Sequence, residues 1–174
     1  MSDQKSGKWH VIYVKSRYEK KVHKYLKEKN LISFLPVTKS IRKWSDRKKV
    51  VFKPLFPSYV FVYINTSLDF HKALSVKGAC CYIRFGKEYA IVSDKEINQI
   101  KILVEDDNIS DISTNNHNLK VGDTRQIESG PLSGLECEIL KVGNSNSIKV
   151  KLDSLQQSII ASVPSCYFNC SIES

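Results

Sequence analysis

The six residues Tyr59–Ile64, YVFVYI, have no polar face. In an extended strand alternate side chains point to opposite sides, so Tyr59, Phe61 and Tyr63 lie on one face and Val60, Val62 and Ile64 on the other. The aliphatic face belongs in a core. The aromatic face is either covered by a second layer or offered to a partner, because rigid amphipathic rings are enriched in protein interfaces. Just upstream, Pro54 and Pro57 bracket Leu55 and Phe56. A second run, Lys8–Val14, alternates in the same way, with Trp9, Val11 and Tyr13 opposite His10, Ile12 and Val14.

Between these strands the pattern changes to helical. SRYE reads as a capping box with Ser16 as N-cap and Glu19 reaching back to it, and Tyr18, Val22, Tyr25 and Leu26 follow at helical spacing. LISFLPV and KKVVFKPLF read as strands joined by the basic loop TKSIRKWSDR. TSLD opens a short helix through Ser75 with Leu68 and Leu74 on its apolar side. CCYIRFG and EYAIV read as paired strands around Gly86, and SDKE caps a third helix that buries Ile97, Ile100, Leu103 and Val104. The expected fold over residues 1–104 is α+β, with helices on a mostly antiparallel sheet.

The composition then shifts. Glu105–Asn118, EDDNISDISTNNHN, is acidic and rich in Asn and Ser, and reads as a linker over 105–118. Beyond it TRQIES, LECEILKV, SIKVKLDS and QSIIASV are strand-like and separated by glycine-bearing turns. They predict a small all-β barrel over 119–174, about 55 residues long and near the lower limit for independent folding.

Charge divides along the same line. The chain carries net +9, with 22 Lys+Arg against 8 Asp+Glu in residues 1–104 (+14) and 5 against 10 in residues 105–174 (−5). The first part therefore faces something polyanionic, and the second does not. The polar start MSDQKSGK and the lack of a long apolar run point to a cytoplasmic protein with no membrane association. Five cysteines (Cys80, Cys81, Cys137, Cys166, Cys170) match no metal or redox spacing. They read as reduced thiols, and neither a metal nor any other cofactor is expected.

The motif order, KWHVIYVKSRYEKKVHKYL, FLP, WSDRKK, PLFPSYVFV, YIRFG and a helix opened by SDKEI, resembles the N-terminal (NGN) domain of the NusG family of transcription elongation factors. VGDTRQIESGPLSGLECEIL resembles the KOW motif that begins the family's C-terminal barrel. WSDRKK joined to PLFPSYVFV is most similar to the specialised UpxY-type and RfaH-type antiterminators. The resemblance implies a monomeric, non-enzymatic factor that binds the clamp helices of the largest RNA polymerase subunit through Tyr13, Leu55, Phe56, Tyr59 and Phe61. It also implies suppression of pausing and termination at particular operons such as polysaccharide-biosynthesis loci. A contact to the opposite polymerase jaw would fall to Asp69, His71 and Lys72, within LDFHKAL. The barrel's partner would be ribosomal protein S10 or the termination factor Rho, although Arg125 and Cys137 depart from the usual KOW pattern.

Nucleic acid, as non-template strand or upstream duplex, would meet Lys15, Arg17, Lys21 and Lys24 on or beside the first helix, with Tyr25 placed to stack a base and Lys77 nearby. Arg42, Lys43, Arg47, Lys48 and Lys49 around Trp44 form a second basic cluster. Two other readings compete. A stand-alone RNA- or ribosome-binding KOW protein would not need the aromatic strand face, and an enzyme would need Cys80 or Cys81 paired with His71 or His117.

Overall fold

The computed structural model describes residues 7–43, 46–116, 122, 124–126, 135–141 and 145–164. In chain order the elements are β1 (Lys8–Val14), α1 (Glu19–Glu28), β2 (Ser33–Phe34), β3 (Val37–Lys43), β4 (Lys48–Pro54), β5 (Tyr59–Ile64) and α2 (Ser67–Leu74). There follow β6 (Ala79–Tyr82), β7 (Arg84–Phe85), β8 (Glu88–Tyr89), β9 (Ile91–Val92), α3 (Asp94–Glu105) and β10 (Ser110–Asn116). The remainder is β11 (Thr124–Gln126), β12 (Glu136–Lys141), β13 (Ser145–Leu152) and β14 (Gln157–Pro164). They group into two compact units, Met1–Val37 with Phe56–Asp94, and Thr38–Leu55 with Lys95–Ser174.

The first unit is built on an antiparallel sheet in the order β2-β5-β1-β6, with β9 also paired to β1. Its aliphatic face is the core face, as the alternation predicts. Ile12 and Val14 of β1 and Val60, Val62 and Ile64 of β5 pack with Val22 and Leu26 of α1 and Ala73 of α2. Helix α1 ends in a Schellman motif: Asn30 takes a left-handed φ of +58°, Leu31 N–H donates to Leu26 C=O and Asn30 N–H to Lys27 C=O. Leu31, thereby turned inward, is buried. β7 and β8 form the hairpin expected around Gly86, whose φ of +65° suits the tight turn. The two halves of that sequence run do not pair throughout, because β6 and β9 both pair with β1 instead.

The start of α1 differs from expectation, and that of α2 agrees with it. Helix α1 begins at Glu19 after a turn closed by Tyr18 N–H to Lys15 C=O, and Tyr18 stands at the N-cap without a side-chain bond. Ser16 does not cap it, because the Glu19 carboxylate is used elsewhere. Helix α2 is capped by a reciprocal Thr66–Asp69 box. Its buried residue is Ala73, with Phe70 and Leu74 half-buried against the core, whereas Leu68 is 73% exposed.

In the second unit β3 and β4 make a two-stranded hairpin, α3 buries Ile97, Ile100 and Leu103, and five strands run in the antiparallel order β10-β14-β13-β12-β11. Val104 is only half-buried. The four expected C-terminal strands are present. β10 occupies the stretch read as a linker, since an Asn- and Ser-rich segment can pair through its backbone along β14 without apolar side chains, and Ile109 just before it is buried. The described pairings are those of an open five-stranded sheet rather than a closed barrel, and residues 127–134 lie outside the described residues. At the centre, Glu138 and Lys149 are direct cross-strand partners on β12 and β13, joined by a buried 2.9 Å hydrogen bond.

Candidate functional site

Register brings Tyr13 of β1 opposite Tyr59 of β5 on one side and opposite Cys81 of β6 on the other. The three residues form a row across three strands at one end of the sheet. The two tyrosine rings meet edge to face with centroids 6.3 Å apart, a geometry favoured by the ring quadrupoles. Tyr13 is 43% exposed, Tyr59 is half-buried and Cys81 is exposed.

The rest of the expected aromatic patch is interior. Phe61 is 0% exposed, Phe56 2% and Leu55 4%. Phe61 packs against Phe56 and Phe34, at centroid distances of 5.6 and 5.9 Å. Farther along the same face Trp9 is buried, touches Tyr63 edge-on and donates its indole N–H to Asp94 at 3.1 Å. Burial on this face is therefore deepest at Val11 and Phe61 in the middle of the strands, with Tyr63 half-buried at one end and the more open Tyr13–Tyr59 row at the other.

The turn leading into Tyr59 is held by the residue that the sequence placed in a helix-capping box. Glu19, 6% exposed at the start of α1, accepts the Ser58 N–H at 2.8 Å, while Ser58 C=O accepts from Val14 N–H. The signal was present in SRYE and in the Pro57–Ser58 dipeptide, but the carboxylate's partner lies 39 residues away.

Beside this row the basic residues of the first helix region are displayed. Lys15, Arg17, Lys21 and Lys24 are exposed, as is Lys77 in the turn after α2. Lys21 and Lys24, three residues apart, share a face of α1, and Arg17 lies in the turn before it. Lys21 lies over the Tyr18 ring at 4.8 Å, and Lys24 makes a surface pair with Glu28 at 3.7 Å. Tyr25 packs against the core and does not stand free for stacking as the sequence reading expected.

A protein-family model described as transcription termination factor nusG matches residues 7–101, more than half of the chain. The chain belongs to the NusG family. A solved structure titled "Domain interaction in Thermotoga maritima NusG" has 22% identity, covering 89% of this chain and 92% of that one, with a TM-score of 0.51. A "MjSpt4:Spt5 complex" structure has 14% identity over 90% of this chain and 92% of that one, with a TM-score of 0.31. No curated protein matches.

Other candidate residues of this NusG-family chain are dispersed. Asp69 is committed to the α2 cap, its carboxylate accepting from Thr66 N–H at 3.1 Å. Lys72 is half-buried, and exposed His71 lines a surface pocket of about 350 Å³ with Ile64, Thr66, Ser67 and Phe70. On the β3–β4 hairpin Arg47, Lys48 and Lys49 are exposed, Arg42 and Lys43 lie in β3, and Trp44 is outside the described residues. Exposed Ile41, Val50 and Phe52 accompany these basic residues, an apolar stripe that the sequence reading did not single out.

Burial and Lys27 lower the pKa of His23, whose Nδ1 lies 2.9 Å from Ser33 Oγ. Burial, helped by Lys8, lowers that of His10 against a smaller upward effect of the Ala90 backbone. Burial pushes the Cys137 thiol up to about 11, so it is inert at neutral pH. Among the described residues no cluster could hold a metal and no helix is long and apolar enough to cross a membrane. His117, Cys166 and Cys170 lie outside them.

Proposed function

We propose that this chain is a transcription elongation factor of the antiterminator type, docking on the clamp helices of RNA polymerase through the surface row headed by Tyr13 and Tyr59. The observation that carries this reading is the pairing of exposed Tyr13 with half-buried Tyr59 on a domain of net positive charge that belongs to the NusG family. Phe56 and Phe61, buried against one another, serve as core on the same sheet rather than as contact residues. Bridging the clamp disfavours the open states that accompany pausing, so the factor works by population shift and needs no covalent chemistry.

The exposed lysines and Arg17 beside and along α1 meet phosphates of the non-template strand or upstream duplex, and the hairpin lysines contact phosphates as well. The C-terminal strands correspond to a KOW-type module. The net −5 of residues 105–174 favours a protein partner there, in keeping with S10 or Rho, over nucleic acid. The target is a specific operon of the polysaccharide-biosynthesis kind, as the likeness of WSDRKK and PLFPSYVFV to UpxY-type factors implies.

Reconstituted elongation complexes test this directly. The purified chain is expected to comigrate with them at moderate salt and to shorten pauses on a matched leader template. A chain that stays unbound at both low and moderate salt, or that binds ribosomes instead, refutes the reading.

A further inference from the structure

Two non-glycine residues near the tyrosine row have left-handed backbone, Arg17 at φ +66° and Ser58 at φ +63°. Such conformations persist only where their surroundings over-determine them. Ser58 is fixed at both backbone groups: its N–H donates to Glu19 Oε1 and its C=O accepts from Val14 N–H, each at 2.8 Å. Val14 follows Tyr13 and Ser58 precedes Tyr59, so these two bonds set the strand ends that carry the paired rings. Glu19 itself is a carboxylate withdrawn from water, 6% exposed, on the first turn of the helix that carries the basic face. Burying a carboxylate is unfavourable unless its hydrogen bonds are made, and the turn preceding Tyr59 supplies one.

We propose that Glu19 is the positioning residue of the docking face, holding Ser58 in its left-handed conformation so that Tyr59 is presented beside Tyr13. The inference rests on the reading of the tyrosine row as the polymerase contact. Glu19 touches no partner; it acts through the Pro57–Ser58 turn. A consequence is that the start of the basic helix is tied directly to the turn that precedes the tyrosine row, in addition to the core packing of Val22 and Leu26 beneath it.

The test uses the full chain in two measurements, amide hydrogen exchange of the free protein and titration onto elongation complexes. In Glu19→Ala, exchange at Ser58 should quicken at least tenfold while Val60–Val62 stay protected, and polymerase affinity should fall about tenfold, as expected for losing a charge-assisted hydrogen bond. Glu19→Gln keeps an acceptor and should stay within about twofold of the parent. Glu19→Ala combined with Ser58→Gly should recover affinity, because glycine adopts a positive φ unaided. Should Glu19→Ala fail to fold, Glu19→Asp replaces it, keeping the charge at the helix start but falling short of Ser58, and its rescue by Ser58→Gly is read in the same way.

Parent-like exchange and binding in the Ala or Asp variant, or failure of Ser58→Gly to restore binding, overturns the proposal. Parent-like affinity in Tyr13→Ala and Tyr59→Ala would refute the docking reading itself, and the role of Glu19 with it, whatever Ser58 exchange shows.

Discussion

The contrast between the open Tyr13–Tyr59 row and the buried Phe61 predicts that aromatic substitutions on one face separate into two classes. A tyrosine side chain has about 200 Å² of surface, of which the 43% left open on Tyr13 is about 85 Å². Covering that area with a partner at about 25 cal/mol per Å² is worth about 2 kcal/mol, or about thirtyfold in affinity. Tyr13→Ala should therefore weaken binding to elongation complexes by about that factor, a loss typical of a central interface aromatic, and Tyr59→Ala by less, because less of its ring is open. Their urea midpoints should move less than that of a fully buried aromatic, since part of each ring is already in water. Phe61, at 0% exposure with Phe34 and Phe56 around it, belongs to the other class. Phe61→Ala should cost about 3–5 kcal/mol of stability through transfer and cavity terms, visible as a lowered midpoint. The measurements are paired, equilibrium titration against denaturant unfolding on the same preparations. The reasoning is refuted if Phe61→Ala weakens polymerase binding at an unchanged midpoint, or if the tyrosine variants melt early and bind normally.

Two further predictions concern stability. Lys149→Met leaves Glu138 charged in a site where the two side chains are only 6% and 11% exposed, so it should cost about 3–5 kcal/mol; Glu138→Leu added to it should recover most of the loss, and a single variant as stable as the parent in chemical denaturation would contradict this. Because the folded pKa values of His23 and His10 are lowered, the unfolded chain binds more protons just below the ordinary value of 6.5, so the contribution of these residues to stability is present above that pH and lost as pH falls through the folded values. Urea midpoints taken from pH 7.5 downward should therefore fall, and His23→Gln should shallow the slope, while an unchanged slope would exclude His23 as a contributor.

What could be read from the sequence, and what could not, follows from the range of the interactions involved. The alternation of β1 and β5 assigned the aliphatic residues to the helix-covered core correctly, because parity is a local property. It could not rank the aromatic face. With no polar residue on either side of YVFVYI, nothing in the strand marks where cover ends, and the answer depends on register: Tyr13 meets Tyr59 at the exposed end, while Val11 meets Phe61 in the interior. The basic residues of α1 were legible as a charged face for the same local reason, but the packing of Tyr25 against the core was not. SRYE satisfied the local rule for a capping box, yet Glu19 was claimed by an N–H from a distant turn. A buried donor at a residue of positive φ is a stronger demand on that carboxylate than a helix start that water can satisfy.

The C-terminal sheet shows the converse, a feature that local rules would have rejected and tertiary pairing makes coherent. A lysine within SIKVKL and a glutamate within LECEIL look like solvent-facing positions, and each alone would be costly to bury. As direct cross-strand partners they cover one another. A two-residue slip of β13 along β12 would keep the aliphatic residues on their faces but, in one direction, set Ser147 opposite Glu138 and leave that carboxylate inside without its partner, a penalty that the Ile- and Val-rich strands around it cannot impose, because one branched aliphatic substitutes readily for another. The pair therefore acts on register more than on net stability, which is why the Glu138→Leu and Lys149→Met double variant is expected to be stable and yet to tolerate shifted pairings, detectable as duplicate amide resonances along β12 and β13.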